Sequence, residues 1–228
     1  LENRVKHVLI IAGGKSARMN NPVPKQFLLI SGKPVLHYAF EAFVHLSDVK
    51  FTLVLPENYV DYWNKLCSSS GFNIPHNIVE GGPTRFHSVK AGLSKIPYGE
   101  LVLIHDAARP FPSQATINNV VSVVLRKGNA IPVIDIPDSV REVTGNFNRS
   151  IDRNIIKAIQ TPQGYYSEKI KDAYNQPYNE LFTDDASVLE STGEKINIVT
   201  GNPENIKISK AIDLIIAESI FNSLELIP

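Results

Sequence analysis

The chain is poor in several things at once, and each shortage removes a class of function. It has a single cysteine, Cys67, among 228 residues. One thiol excludes an intrachain disulfide and a cysteine-rich zinc site, and it suits a reducing compartment. No base is identifiable beside Cys67 in the sequence, so a catalytic thiol is not indicated. There is no excess of charge of either sign, since Lys+Arg and Asp+Glu both number 23. Such a chain casts no long-range field toward nucleic acid or an anionic membrane, and any anion site has to be a local cluster. No long apolar run is present. Leu1-Glu2-Asn3-Arg4 leads into a strand of only about six apolar residues, too short and wrongly flanked for a signal peptide or a membrane span. The expected compartment is the cytoplasm. Repeats and low-complexity linkers are also lacking, and with 43% hydrophobic residues the expectation is one domain over residues 1–228 with a sizeable core.

Two familiar phosphate-binding signatures are missing as well, although Leu9-Ile10-Ile11-Ala12-Gly13-Gly14-Lys15-Ser16-Ala17-Arg18-Met19 contains the letters GKS. A P-loop needs a glycine five positions before Gly14, and that position is Leu9. A dinucleotide fingerprint starting at Gly13 needs glycine where Lys15 and Arg18 stand. What remains is a glycine-rich turn leaving a strand, which still lets backbone amides approach a nucleotide closely because glycine has no Cβ.

What is present is an alternation of short apolar runs and amphipathic stretches. Val8 to Ala12, Phe51 to Leu55, Leu101 to His105 and Ala130 to Ile134 read as buried strands. Pro34 to Val44, Tyr59 to Ser69, Arg85 to Ile96 and Gln114 to Arg126, the last behind a Ser113 N-cap, read as helices. This alternation predicts an α/β, Rossmann-like doubly wound, mostly parallel sheet with helices on both faces. A final helix from Lys210 to Leu224 is expected to pack on that sheet. The alternation breaks at Ile136 to Asp152, where a Thr-Gly-Asn turn joins two polar–apolar alternating runs. That pattern predicts a protruding β-hairpin arm, residues 136–153. It reads as a dimerisation arm, with a hairpin folded over its own active site as the alternative.

Ligands of open parallel sheets bind beyond the C-terminal strand ends, so the loops there carry the candidates. The first offers Arg18 and Lys25, with Pro22 and Pro24 stiffening the path between them. Two cations beside a glycine turn suit phosphoryl or nucleotidyl transfer, which needs donors aimed at oxygens that gain charge. The plainer alternative is that both are solvated surface charges. Asp106 ends an apolar strand, and a carboxylate there pairs with a cation, either Arg109 or a magnesium ion that travels with a nucleotide. His105 and His87 read as polar packing groups, because transfer to a phosphate acceptor needs no base when the acceptor is already largely ionised. Gly81-Gly82-Pro83-Thr84-Arg85-Phe86-His87-Ser88 is a second glycine turn opening a helix, able to offer amides and the Ser88 hydroxyl to a base edge or simply to cap the helix. Arg153, Thr161, Thr183 and Lys207 are polar residues among which spacing alone does not choose.

AGGKSARM and PKQFLLISGKPVLHYAFEAF together resemble the start of the nucleotidyltransferases that activate sugar phosphates. HDAARPF, the hairpin followed by DRN, then TPQ, TDDAS and NIKIS, narrow the resemblance to the 2-C-methyl-D-erythritol 4-phosphate cytidylyltransferase family, over nearly the whole chain and in order. The resemblance implies transfer of CMP from CTP to 2-C-methyl-D-erythritol 4-phosphate with Mg2+, by in-line attack of the acceptor phosphate. It implies that Arg18 and Lys25 stabilise the transition state, that Arg153 and Lys207 hold the acceptor phosphate, and that Asp106 and Thr183 sit at acceptor and metal. Ala12, Gly13, Gly14, Gly81, Gly82, Ser88 and Ala107 would line the nucleotide, and Arg109 and Thr161 would also touch substrate. It further implies a homodimer in which Ser139 and Arg153 complete the partner's site. Three positions depart from the family pattern: Ser16 for a glycine, Pro83 for an acidic residue and Ser139 for a threonine. The rival readings are a ribitol 5-phosphate cytidylyltransferase and a catalytically silent nucleotide-binding module.

Overall fold

The structure is a computed structural model and describes residues 4–13 and 23–225. Strand β1 (Lys6–Ile11) is followed by a two-residue pair, β2 (Leu29–Ile30) and β3 (Lys33–Pro34), and helix α1 (Val35–Glu41). Then come β4 (Val49–Leu55), α2 (Val60–Ser70), β5 (Asn77–Glu80), α3 (Arg85–Leu93), β6 (Leu101–Asp106), α4 (Gln114–Lys127) and β7 (Asn129–Asp135). The hairpin strands are β8 (Val140–Thr144) and β9 (Phe147–Ile151), and the chain continues through β10 (Lys157–Ile159), β11 (Gln163–Tyr166), α5 (Ser167–Ala173), α6 (Asp185–Glu190), β12 (Ile198–Thr200) and α7 (Ala211–Glu225).

β1 lies at the middle of the main sheet, parallel to β4 on one side and β6 on the other, and β5 extends the parallel run beyond β4. The apolar runs of these strands are buried on both faces. On β1, Val8 and Ile10 join one core with α1, α2 and α4, while Leu9 and Ile11 join the other with α3, α5 and α6. Two covered faces explain why the strands read as continuous hydrophobic runs rather than alternating ones.

Beyond β6 the order departs from simple winding. β11 runs antiparallel to both β6 and β7 and separates them, while β10 (antiparallel) and β12 (parallel) also pair with β7. These short strands had no period long enough to show in sequence. Helices α1 and α3 stop earlier than their apolar pattern predicts, because the chain tightens into i→i+3 turns such as Phe43 N–H to Phe40 O (3.1 Å) and Ile96 N–H to Leu93 O (3.1 Å). Ser113 caps α4 as expected, its side chain accepting from Thr116 N–H. The terminal helix does not pack on the main sheet. Leu214, Ala217, Ile220 and Phe221 instead join Ile30, Val35, Tyr38, Phe111 and Ile208 in a third core beside β2 and α1.

The hairpin forms a separate two-stranded sheet with Thr144 opposite Phe147. Gly145, at φ 56°, supplies the positive φ that its two-residue loop requires. Val143 and Phe147 are 69% and 62% exposed, so the hairpin leaves apolar side chains uncovered in the single chain.

Two buried histidines tie this fold to pH. His37 stacks on Phe72 (4.4 Å between ring centres) and lies edge-on to Trp63; burial pulls its pKa from 6.5 to about 4, with Glu41 opposing and Lys33 assisting. Burial does the same to His105, bringing it to about 4 against the opposing pull of its hydrogen bond to the Arg109 carbonyl and of Asp106. Between those values the unfolded chain binds protons that the folded chain refuses, so stability is full above pH 6.5 and is lost as pH falls toward 4. Each histidine contributes on the order of 3 kcal/mol over that window. Urea unfolding at pH 7.5, 5.5 and 4.5 is expected to show a steady fall, and His37→Phe is expected to flatten the slope by roughly half.

Candidate active site

Two cavities open at the C-terminal ends of the parallel strands. The first, of about 220 Å3, is lined by Ala12 and Gly13 after β1, by Lys25 and Gln26, by Arg85 and Ser88 of α3, and by Asp106, Ala107 and Lys207. The second, of about 230 Å3, is lined by Asp106, Arg109, Thr161, Thr183, Asp184, Arg85 and Lys207, among others. Arg85, Asp106 and Lys207 belong to both linings.

The first cavity is shaped by the close approach of Gly13 and the start of α3, behind which the Gly81–Gly82 turn folds. A Cβ on Gly13 would stand 2.9 Å from Ser88 Oγ, closer than such contacts occur. A Cβ on Gly82 would stand 2.4 Å from His87 Cβ, so only glycine lets the second turn fold back on the start of α3. Ser88 Oγ accepts the Gly82 N–H at 3.1 Å and lies close to Gly81, so the fully buried Ser88 fastens the Gly81–Gly82 turn to the start of its own helix, with Gly13 close beside it. Its hydroxyl is therefore a structural clasp as well as a wall of the cavity. Thr84 N-caps α3, its side chain accepting from His87 N–H.

Lys25 opens a short 3-10 turn, Lys25–Phe27, whose other two residues are buried. Gln26 Nε2 donates to the Ala12 carbonyl at 2.9 Å, which ties this turn to the end of β1. Phe27 packs its ring against Trp63, Tyr59 and Tyr62. The lysine is thereby mounted on an anchored segment at the cavity wall. Gly14 and Arg18 lie outside the described residues.

Asp106, at the tip of β6, forms the hub between the cavities. Arg85 Nε is 3.2 Å from Oδ1 and Lys207 Nζ is 2.6 Å from Oδ2, so Arg109, the alternative partner to a magnesium ion, is not the side chain that pairs with it. Arg109 instead donates to the carbonyls of Asn205 (2.8 Å) and Ile159 (3.2 Å). Burial alone would raise the Asp106 carboxyl, but the charges of Arg85 and Lys207, with Arg109 behind them, outweigh it and hold the carboxyl well below the usual carboxylate range. Arg85 is itself gripped by Asp185 through two bonds of 2.8 and 2.7 Å. Asp185 is fully buried and also accepts from Tyr174 Oη at 2.6 Å.

Sequence reading missed Arg85 and Asp185 as a pair. A separation of one hundred residues leaves no local pattern by which to find them. Asp184 did carry a local signal, since its side chain caps α6 in a box with Ser187. Asn205, also fully buried, was missed too; its Nδ2 donates to the Thr161 carbonyl at 2.8 Å. Ser139 and Arg153 line neither cavity and lie on exposed chain at the base of the hairpin, where Arg153 donates to the Pro137 carbonyl.

A family model described as 2-C-methyl-D-erythritol 4-phosphate cytidylyltransferase matches residues 6–223. The chain belongs to that cytidylyltransferase family. Relatives bearing the name include a protein of Phocaeicola vulgatus, 45% identical over 93% of this chain and 98% of its own length. Another, from Bacteroides fragilis, is 46% identical over 93% of this chain and 97% of its own. The crystal structure of the cytidylyltransferase from Thermus thermophilus superposes with a TM-score of 0.73 at 27% identity, covering 94% of this chain and 98% of that one. A synthase from Anaerococcus prevotii, at 23% identity and a TM-score of 0.82, shares the fold over 96% of both chains. Among the cytidylyltransferase's described residues, no group of three or more His, Cys, Asp or Glu side chains could hold a metal ion, and no helix is long and apolar enough to cross a membrane.

Proposed function

We propose that the first cavity of this cytidylyltransferase holds CTP and the second holds the acceptor, with Asp106, Arg85 and Lys207 at the junction where the two substrates react. The enzyme transfers CMP from CTP to 2-C-methyl-D-erythritol 4-phosphate, giving 4-CDP-2-C-methyl-D-erythritol and pyrophosphate. An acceptor phosphate oxygen attacks the α-phosphorus in line. One O–P bond forms, the bond from the α-phosphorus to the bridging oxygen breaks, and pyrophosphate leaves with that oxygen. The observation that carries the assignment is the sharing of one charged cluster by two adjacent cavities. A two-substrate transfer needs its substrates to meet, whereas a module that only binds a nucleotide needs one pocket.

In this reading Ala12, Gly13, Ser88 and Ala107 cradle the nucleotide, while Gly81 and Gly82, which do not line the cavity, support it from behind Ser88. Lys25, with Arg18, faces the phosphate oxygens that gain charge in the transition state. Lys207 and Arg109 hold the acceptor phosphate, and Thr161 and Thr183 wall the acceptor side. The acceptor is a phosphate monoester with a second pKa of about 6, so no general base is needed, which agrees with the role of His105 inside the protein rather than at the reacting atoms.

Magnesium fits only as an ion that travels with the triphosphate. Asp106 offers one carboxylate at the junction, and magnesium takes one or two carboxylates together with substrate phosphate oxygens. The ion would neutralise charge on the triphosphate. Asp106 would be the residue to hold such an ion, and Lys207, whose side chain is 40% exposed, would reach the acceptor phosphate from beside it. Dimerisation through residues 136–153 is supported by the uncovered Val143 and Phe147, and Ser139 and Arg153 line neither cavity of their own chain. Those two residues would then complete the second cavity of the other subunit. We place the enzyme in the cytoplasm, as the single cysteine suits, with no nucleic acid or membrane among its partners.

Pyrophosphate release with Mg2+, crossing CTP, UTP, GTP and ATP against methylerythritol 4-phosphate, ribitol 5-phosphate and a hexose 1-phosphate, tests the reading. Release is expected with CTP and methylerythritol phosphate alone. Release with ribitol phosphate instead would overturn the acceptor, and binding of CTP with no release from any pair would favour the silent module.

A further inference from the structure

His105 is completely buried and lines neither cavity, yet both hydrogen bonds of its side chain end on residues of the acceptor side. Its Nε2 is 2.9 Å from the Arg109 carbonyl. A carbonyl only accepts, so Nε2 carries the proton. The neutral ring then presents Nδ1 as an acceptor, and the atom 3.0 Å away is Thr161 Oγ1. The Thr161 hydroxyl hydrogen is therefore committed to His105. An oxygen lone pair remains, and the backbone N–H of Asp106 donates to it at 3.0 Å. Each link of the chain from the Asp106 N–H through Thr161 and His105 to the Arg109 carbonyl thus has a fixed direction. The imidazole is held in place by the edge of Phe43, with ring centres 5.1 Å apart.

We propose that His105 is a positioning residue for the acceptor: it sets the donor direction of Thr161 and locks Asp106, Thr161 and Arg109 into one unit behind the second cavity. Thr161 then meets the acceptor without a hydrogen to give, through its second lone pair or its methyl group. Arg109 N–H already donates to the Asp106 carbonyl at 3.0 Å, and His105, a group that touches no substrate, ties Thr161 into that turn. The proposal rests on the assignment of the second cavity to the acceptor.

Three replacements separate the links. His105→Asn can present a carboxamide oxygen near the Nδ1 position and keeps the bond from Thr161. His105→Gln reaches toward the Nε2 position and keeps the bond to Arg109. His105→Phe keeps ring packing and loses both. Steady-state rates are measured with CTP and methylerythritol phosphate varied separately, alongside calorimetric CTP binding and thermal melting. His105→Phe is expected to lower kcat/KM for the acceptor by about 10-fold to 100-fold, the scale of a misplaced reacting group, while CTP affinity stays within about two-fold. His105→Asn is expected to recover more of the loss than His105→Gln. Acceptor kinetics unchanged in the Phe variant would overturn the proposal. So would losses in all three that follow melting temperature and affect CTP binding equally. Failure of the underlying reading is distinct, since it appears as a wild-type enzyme that does not use this acceptor.

Discussion

Lys25→Ala is expected to lower turnover about 100-fold to 1,000-fold, the range for removing one donor aimed at transition-state charge, while CTP binding weakens by less than about 10-fold. The inequality follows from how the lysine is mounted. Its 3-10 turn is pinned by Gln26 to the Ala12 carbonyl and by Phe27 to Trp63, Tyr59 and Tyr62. The ammonium group is thus supplied on a preorganised support, and little reorganisation is required as charge builds on the phosphate oxygens. In the proposed arrangement ground-state CTP is also held by the other residues of the first cavity, so its binding is expected to lose proportionally less. Single-turnover rates at saturating substrates, set beside calorimetric CTP binding, separate the two quantities. Equal losses in both would make Lys25 a ground-state contact and would move the transition-state role elsewhere.

Asp185→Ala is expected to destabilise the enzyme by about 3–5 kcal/mol, the cost of breaking a buried ion pair by removing one partner. For a chain of this length that is a fall in melting temperature of roughly 10 °C. The mutation removes both bonds from Asp185 to Arg85 and the acceptor of the Tyr174 hydroxyl. Arg85 is left with Asp106 as its remaining carboxylate partner, so the guanidinium is released from one of its two anchors at the junction of the cavities. Activity measured well below the melting temperature is therefore expected to fall as well, through misplacement of Asp106. Asp185→Asn keeps the shape and accepts one of the two bonds, and is expected to lose less of both. Thermal melting with activity at 15 °C decides this. A stable, fully active Asp185→Ala enzyme would show that the Arg85 clamp is dispensable.

The alternation of strands and helices, the Gly81–Gly82 turn, the Ser113 cap and the hairpin are legible in the sequence. These features are local. A buried strand or an amphipathic helix is written in a period of a few residues, and a turn in the φ values that its residues permit. The sequence also carried enough ordered blocks to suggest the family, and it pointed to about half of the residues that line the two cavities. Tertiary structure alone decided the partners. A period states which face is buried but not what lies against it, so the insertion of β11 between β6 and β7, and the packing of α7 on β2 and α1 instead of the main sheet, had no local signature. The same holds for charge. Asp106 was legible as a carboxylate in need of a cation, yet the nearby Arg109 was not the one it pairs with. Arg85 and Lys207 were brought to it by the meeting of α3, the end of β6 and the segment before α7. The direction of the His105–Thr161 bond likewise depends on which atoms face an acceptor-only carbonyl across the fold, and that is settled by three-dimensional packing.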